Sequence, residues 1–155
     1  MLSTDPRRLA PALWILLGLF VLRVAGQVLV AFLDVRWLPP MEQWYSGLAP
    51  YPLLLPAQLV IILIYGKVCV DFSRGAGWFV RTRPWFGRGV LWCGYLYLGV
   101  MIARYPVQMA LSPEDRWFGH TIPIMFHWVL AAFIILFGRF HRRRLQERAH
   151  FRSGT

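Results

Sequence analysis

Four long apolar stretches decide what this chain can fold into. A helix rises 1.5 Å per residue, so about 20 apolar residues carry it across the hydrocarbon core of a bilayer. Ala10 to Leu33 is long enough and is broken only by Arg23 and Gln27. Tyr51 to Phe72 contains Gln58 and Lys67, and Gly87 to Leu111 contains Arg104 and Gln108. The fourth runs from Thr121 to about Phe140 and contains His127. The pattern predicts an all-α membrane protein. It is a four-transmembrane-helix bundle with helices at about 10–33, 51–72, 87–111 and 121–140, in a single domain covering residues 1–155. Residues 141–155 form a basic tail.

Composition agrees. Hydrophobic residues make up 57% of the chain and charged residues only 15%, where a soluble domain has about a quarter charged. The first stretch has features of a signal peptide: Arg7 and Arg8 stand in front of it, and Val24-Ala25-Gly26 resembles a cleavage site. Arg23 interrupts it just before that point and the apolar run continues through Leu33, so a retained helix is the expectation.

Charge placement gives the direction. Arg7 and Arg8 precede the first span; Lys67, Arg74, Arg81, Arg83 and Arg88 flank the middle loop; Arg139, Arg142, Arg143, Arg144, Arg148 and Arg152 follow the fourth span. The other two loops hold only Arg36 and Arg116, beside the acids Asp34, Glu42, Glu114 and Asp115. The positive-inside rule then puts both termini and the middle loop in the cytoplasm. Trp37, Trp44, Tyr45 and Trp117 fall at the outer boundary and Trp78, Trp85 and Phe86 at the inner one, where amphipathic rings collect. The segment from Trp37 to Tyr45 is too short and polar to span and reads as an outer loop or surface helix. Lys67 is the only lysine among 17 basic residues, as expected of a GC-rich bacterial genome, and the expected location is the bacterial inner membrane.

The net charge of +10 does not point to nucleic acid, because the basic residues sit just outside apolar runs. Orientation and contact of the basic tail with anionic lipids account for them. Docking of an acidic cytoplasmic partner on His141–Arg152 is the alternative.

The first and third stretches resemble each other. One offset places Leu17-Gly18 on Leu98-Gly99, Arg23 on Arg104, Gln27 on Gln108 and Asp34 on Asp115. The second and fourth align Ile61–Lys67 with Phe133–Arg139. The alignment describes two similar helical hairpins in a parallel 2+2 repeat. Apolar segments match one another easily, so the weight rests on the rare polar positions.

Those polar positions are the candidate site: Arg23, Gln27, Gln58, Arg104, Gln108 and His127. An arginine in the hydrocarbon core costs roughly 3 kcal/mol on insertion scales and needs partners, water or a route to the headgroups. Each of the two arginines has a glutamine four residues on, which shares its helical face. One reading is structural, with snorkelling or bonds between helices. The other is a cavity in the outer half, where guanidinium groups bind an anionic headgroup, a carboxylate or a quinone-like oxygen. Pro106, between Arg104 and Gln108, frees the Ile102 carbonyl nearby.

His127 reads first as a hydrogen-bond partner between helices; in an enzyme it would be the acid–base. As a haem ligand it has no second histidine within a span, only Met101, Met109 or Met125. Cys69 and Cys93 both fall near cytoplasmic helix ends, where they are free thiols and would be close in space. Gly75-Ala76-Gly77 lacks the context of a phosphate loop and reads as a flexible turn.

Three functions follow. The first is a small non-catalytic membrane protein, an accessory subunit or a ligand- or lipid-binding protein, with no cofactor, associating with itself or a larger complex. The second is a membrane enzyme or carrier for a lipid, isoprenoid or quinone. The third is a haem-binding redox subunit.

Overall fold

The computed structural model describes residues 5–33, 35, 38, 51–81, 83–111 and 121–153; within the helices, the side chains at 51, 84, 105, 108, 109, 111, 121–124 and 147–153 are not described. The protein is all-helical, with four helices: α1 (Pro6–Leu33), α2 (Tyr51–Arg74), α3 (Pro84–Leu111) and α4 (Thr121–Ser153). Three segments, Pro6–Leu33, Pro52–Arg74 and Trp85–Arg104, are long and apolar enough to cross a membrane. In α4 the apolar residues occupy the first two thirds and arginines crowd the remainder.

Local chemistry sets the helix ends. Asp5 caps α1, its Oδ1 accepting from the Arg7 N–H at 3.0 Å, and Pro6 takes the first helical position, where no N–H is needed. Pro84 opens α3 in the same way. At the end of α2, Gly75 has a φ of 70°; its N–H donates to the Phe72 carbonyl, and the Ala76 N–H donates to the Asp71 carbonyl. This is the left-handed glycine stop that lets a helix end without stranded carbonyls. α4 runs past the expected boundary at residue 140 as far as Ser153, so the first half and more of the basic tail is helix. Arg, Leu, Gln, Glu and Ala are all good helix formers, and nothing breaks the run.

α3 and α4 form the most extensive packed pair; α1 packs on α2 and on α4. α3 lies close against α4 at glycines. A Cβ on Gly138 would stand 2.9 Å from the Leu91 backbone, and one on Gly94 would stand 2.9 Å from Ile135 Cγ1. Small residues permit this approach. α2 joins α4 through rings: Tyr65 stacks on Phe133 at 3.9 Å, and Phe72 touches Phe137 and Phe140.

The start of α1, the end of α2, the start of α3 and the end of α4 share one end of the bundle, here the base. Trp14 Nε1 donates to Ser73 Oγ across α1 and α2, Arg7 reaches the Arg74 carbonyl, and Arg144 reaches the Val80 carbonyl. The main core lies here: Leu13, Leu17, Val68, Cys69, Phe72, Val80, Phe133, Phe137 and Phe140. A smaller cluster of Phe20, Val24 and Leu130 lies further along.

Two further expectations change. The turn after α2 is held in place. Asp71 is buried, pairs with Lys67 and accepts from the Phe79 N–H at 3.2 Å, while Val80 is buried in the core. Gly77, at φ 136°, lies so close to Asp71 that a Cβ would stand 2.3 Å from the Asp71 carboxyl carbon, so the glycine is required there. The cysteines are not neighbours. Cys69 is buried in the core and Cys93 is exposed on α3, and α2 and α3 do not pack on each other among the described residues. The expected outer loop from Trp37 to Tyr45 (apart from Leu38), the outer acids, Trp117 and the side chains of Arg148 and Arg152 lie outside the described residues.

Candidate functional site

Beyond the aromatic core, in the half of the bundle far from the base, polar side chains enter from all four helices. Gln27 on α1 is 0% exposed and Gln58 on α2 is 4% exposed. Gln58 Nε2 donates to Gln27 Oε1 at 3.0 Å. Two primary amides facing each other offer two NH2 groups as donors and two carbonyl oxygens as acceptors; here one bond forms. Gln27 Nε2 and Gln58 Oε1 find no hydrogen-bond partner among the described residues. Turning both amides over exchanges their roles and leaves the same remainder, one donor and one acceptor.

Arg23, one turn before Gln27, is 8% exposed. Its guanidinium carbon lies 5.8 Å from the centre of the Phe126 ring, a cation–π distance. The arginine therefore lies inside the protein, among rings. Tyr97 on α3 is close enough to share its electrostatic field with Arg23, and the Tyr97 hydroxyl is hydrogen-bonded to His127 Nδ1. The two rings meet edge to face, with centroids 5.9 Å apart. Arg23 and Arg104 both lie near enough for their charges to act on the His127 ring. Arg104 itself is half-buried on α3.

The six candidates therefore divide. Gln27 and Gln58 are in direct contact. Arg23 and His127 form a second group, joined by Phe126 and Tyr97, and Arg104 lies near enough for its charge to act on His127. Gln108 is on α3, but its side chain lies outside the described residues.

Tyr97 and Phe126 are the residues that the polar pattern alone misses. Tyr97 had a legible signal: it precedes Arg104 by seven residues, two helical turns, and so shares its face. Phe126 carried none beyond its place next to His127.

The arrangement has definite chemical capacity. With Nδ1 held by the Tyr97 hydroxyl, the imidazole has its other nitrogen, Nε2, for exchange of a proton or a bond. The two guanidinium groups make this half of the bundle cationic, and the described residues bring no carboxylate into it. Among the described residues, no three His, Cys, Asp or Glu side chains gather as a metal site would require. Compared with known protein families, with curated proteins and with solved structures, the chain finds no match in any of the three.

Proposed function

We propose that this chain is a small, non-catalytic protein of the bacterial inner membrane, with four spans and both termini in the cytoplasm. It holds a lipid-soluble ligand in the outer half of its bundle and acts alone, as a homo-oligomer or as an accessory subunit of a larger complex. The four-span reading is supported by three helices of sufficient length and apolarity, and by the apolar first two thirds of α4. Direction is supported by the arginines at the base.

The observation that carries the ligand reading is the pair of buried amides. A buried polar group with no partner costs about 1–3 kcal/mol, and here a donor and an acceptor go unmet on two joined side chains. A hydroxyl answers both needs, because its oxygen accepts from Gln27 Nε2 and its proton goes to Gln58 Oε1. Quinols and isoprenoid alcohols present that group on an apolar body suited to the bilayer. The test is extraction of small molecules from the purified protein. Wild type should release a hydroxyl-bearing lipid that Gln27→Leu/Gln58→Leu does not retain; equal contents in both would reject the reading.

The Tyr97–His127 hydrogen bond favours a second reading, an enzyme or carrier for the same class of molecule with His127 as acid–base. Lipid profiles of cells lacking the chain separate the two. An accumulating precursor that wild type clears and His127→Ala does not would establish catalysis, whereas unchanged profiles favour binding alone.

A further inference from the structure

At the base of the bundle, on the opposite side of the core from the buried amides, a groove of about 590 Å³ runs along the α3–α4 seam. Arg88, Leu91, Trp92 and Tyr95 line it from α3, and Arg142, Leu145 and Gln146 line it from α4. The α3 residues fall at i, i+3, i+4 and i+7, so they are one face of one helix. The groove is continuous with an exposed ridge of the same helix, where Trp92 is 71% exposed and Leu96 and Val100 follow at four-residue steps.

Its charge is one-sided. Arg88 and Arg142 are exposed, no lining residue is acidic, and neither arginine forms an ion pair among the described residues. Arg139, one turn before Arg142, adds a third cation in a fixed position. Its Nε and one terminal nitrogen donate to the Tyr95 hydroxyl at 3.0 and 2.9 Å, and its guanidinium carbon lies 5.8 Å from the centre of the Tyr95 ring. That hydroxyl accepts from Arg139 and still has its own proton to donate.

We propose that this groove is a site for the phosphate of one anionic phospholipid in the leaflet at the base. Arg88 and Arg142 grip the phosphate oxygens, the Arg139–Tyr95 pair stands beside them, and the acyl chains run along Trp92, Leu96 and Val100. Guanidinium groups match phosphate oxygens in paired, charge-assisted bonds. Trp92 suits the boundary between headgroup and chain. The apolar ridge is what selects a lipid over a free phosphate: inorganic phosphate would use the arginines and leave the ridge without a role. The site rests on the membrane-spanning reading but not on the buried amides or on which face is cytoplasmic.

Native mass spectrometry of the full chain released from detergent tests it, with phosphatidylglycerol and phosphatidylcholine as probes. The expected result is one phosphatidylglycerol retained per chain in preference to phosphatidylcholine, with retention weakened about tenfold or more in Arg88→Gln/Arg142→Gln. Arg148→Gln/Arg152→Gln removes the same charge from the end of the tail and should leave retention unchanged. Equal weakening by both pairs would show a diffuse basic surface and overturn the site, as would no preference between the lipids. Displacement of the lipid by millimolar inorganic phosphate would overturn the lipid assignment. A chain that stays compact and monomeric without detergent would defeat the membrane reading itself, whereas a detergent-requiring chain without lipid preference would defeat only this groove.

Discussion

Asp71 at the base and Gln27 in the far half are both buried polar residues, but their surroundings treat them differently. The Asp71 carboxylate meets Lys67 one turn earlier and the Phe79 N–H in the loop that follows, and Gly77 leaves room for it. Its partners come from one short stretch of chain. Gln27 meets a single partner from another helix, and part of each amide is left over. A protein that needed those glutamines only to pack could replace them with leucine at little cost, because exchanging both partners of a buried hydrogen bond for apolar groups of similar shape is nearly neutral. On the proposed reading, the base is built to be stable and the far half keeps polar atoms for a ligand.

The largest effect should come from breaking the base. Phe137 touches Phe72, Phe79, Phe86 and His141, so it ties α2, α3 and the middle loop to α4. Phe137→Ala should cost about 3–5 kcal/mol, the usual range for deleting a buried aromatic ring. Denaturation in mixed micelles would measure it, and a loss under 1 kcal/mol would mean that the base is not the stable region. Next is Gly138→Ala, which sets a methyl group 2.9 Å from the Leu91 backbone and forces α3 away from α4. Overpacking of this kind costs about 1–3 kcal/mol. Because it also opens the α3–α4 contact, it should lower resistance to proteolysis around residues 84–94 more than elsewhere.

A pH effect sharpens the comparison further. His141, the first residue past the expected fourth span, is 1% exposed among Phe86, Phe137 and Phe140, and neither ring nitrogen has a hydrogen-bond partner of good geometry. Burial, aided by the Arg144 charge, pushes its pKa down to about 4, against a weaker opposing pull from the Phe79 carbonyl. The unfolded chain takes up a proton near pH 6.5, and the folded chain does so only near 4. Between those values the unfolded state binds more protons. Stability is therefore fully present at neutral pH, is lost as pH falls from about 6.5 to about 4, and levels off below that. By pH 5 the loss should be roughly 1–2 kcal/mol. His141→Phe should flatten that part of the pH profile, and an unchanged slope would place the titration elsewhere.

Helices were legible in the sequence because length and apolarity are local: the protein is all-helical with four helices, three of them long and apolar enough to span a membrane. The continuation of α4 to Ser153 was less so, since a run of arginines marks a membrane boundary without marking the end of a helix. Spacing could pair Arg23 with Gln27, but Gln58 meets Gln27 only through the packing of α1 on α2. The separation of Cys69 from Cys93 likewise depends on which helices are adjacent, and similar depth in the membrane does not decide that. The order of adjacency is a tertiary fact, and it hid the Gln27–Gln58 contact and the place of Phe126 beside Arg23, whereas Tyr97 was legible from its spacing to Arg104.

The smallest expected effect on stability is the one that bears most on function. In Gln27→Leu/Gln58→Leu one interhelical bond is lost, worth about 0.5–1.5 kcal/mol, while the two unmet polar groups and their burial cost are removed with it. The terms nearly cancel, so the double variant should unfold within about 1 kcal/mol of wild type. The single variant Gln58→Leu should be worse than the double, because it leaves the whole Gln27 amide buried and unmet; this reversal of order is the signature of a satisfied pair being broken. If the double variant instead falls as far as Phe137→Ala, the glutamines are structural ties and the contrast between the two halves disappears. If it stays near wild type and the protein still loses its bound lipid, the polar atoms of the far half are there for something other than the fold.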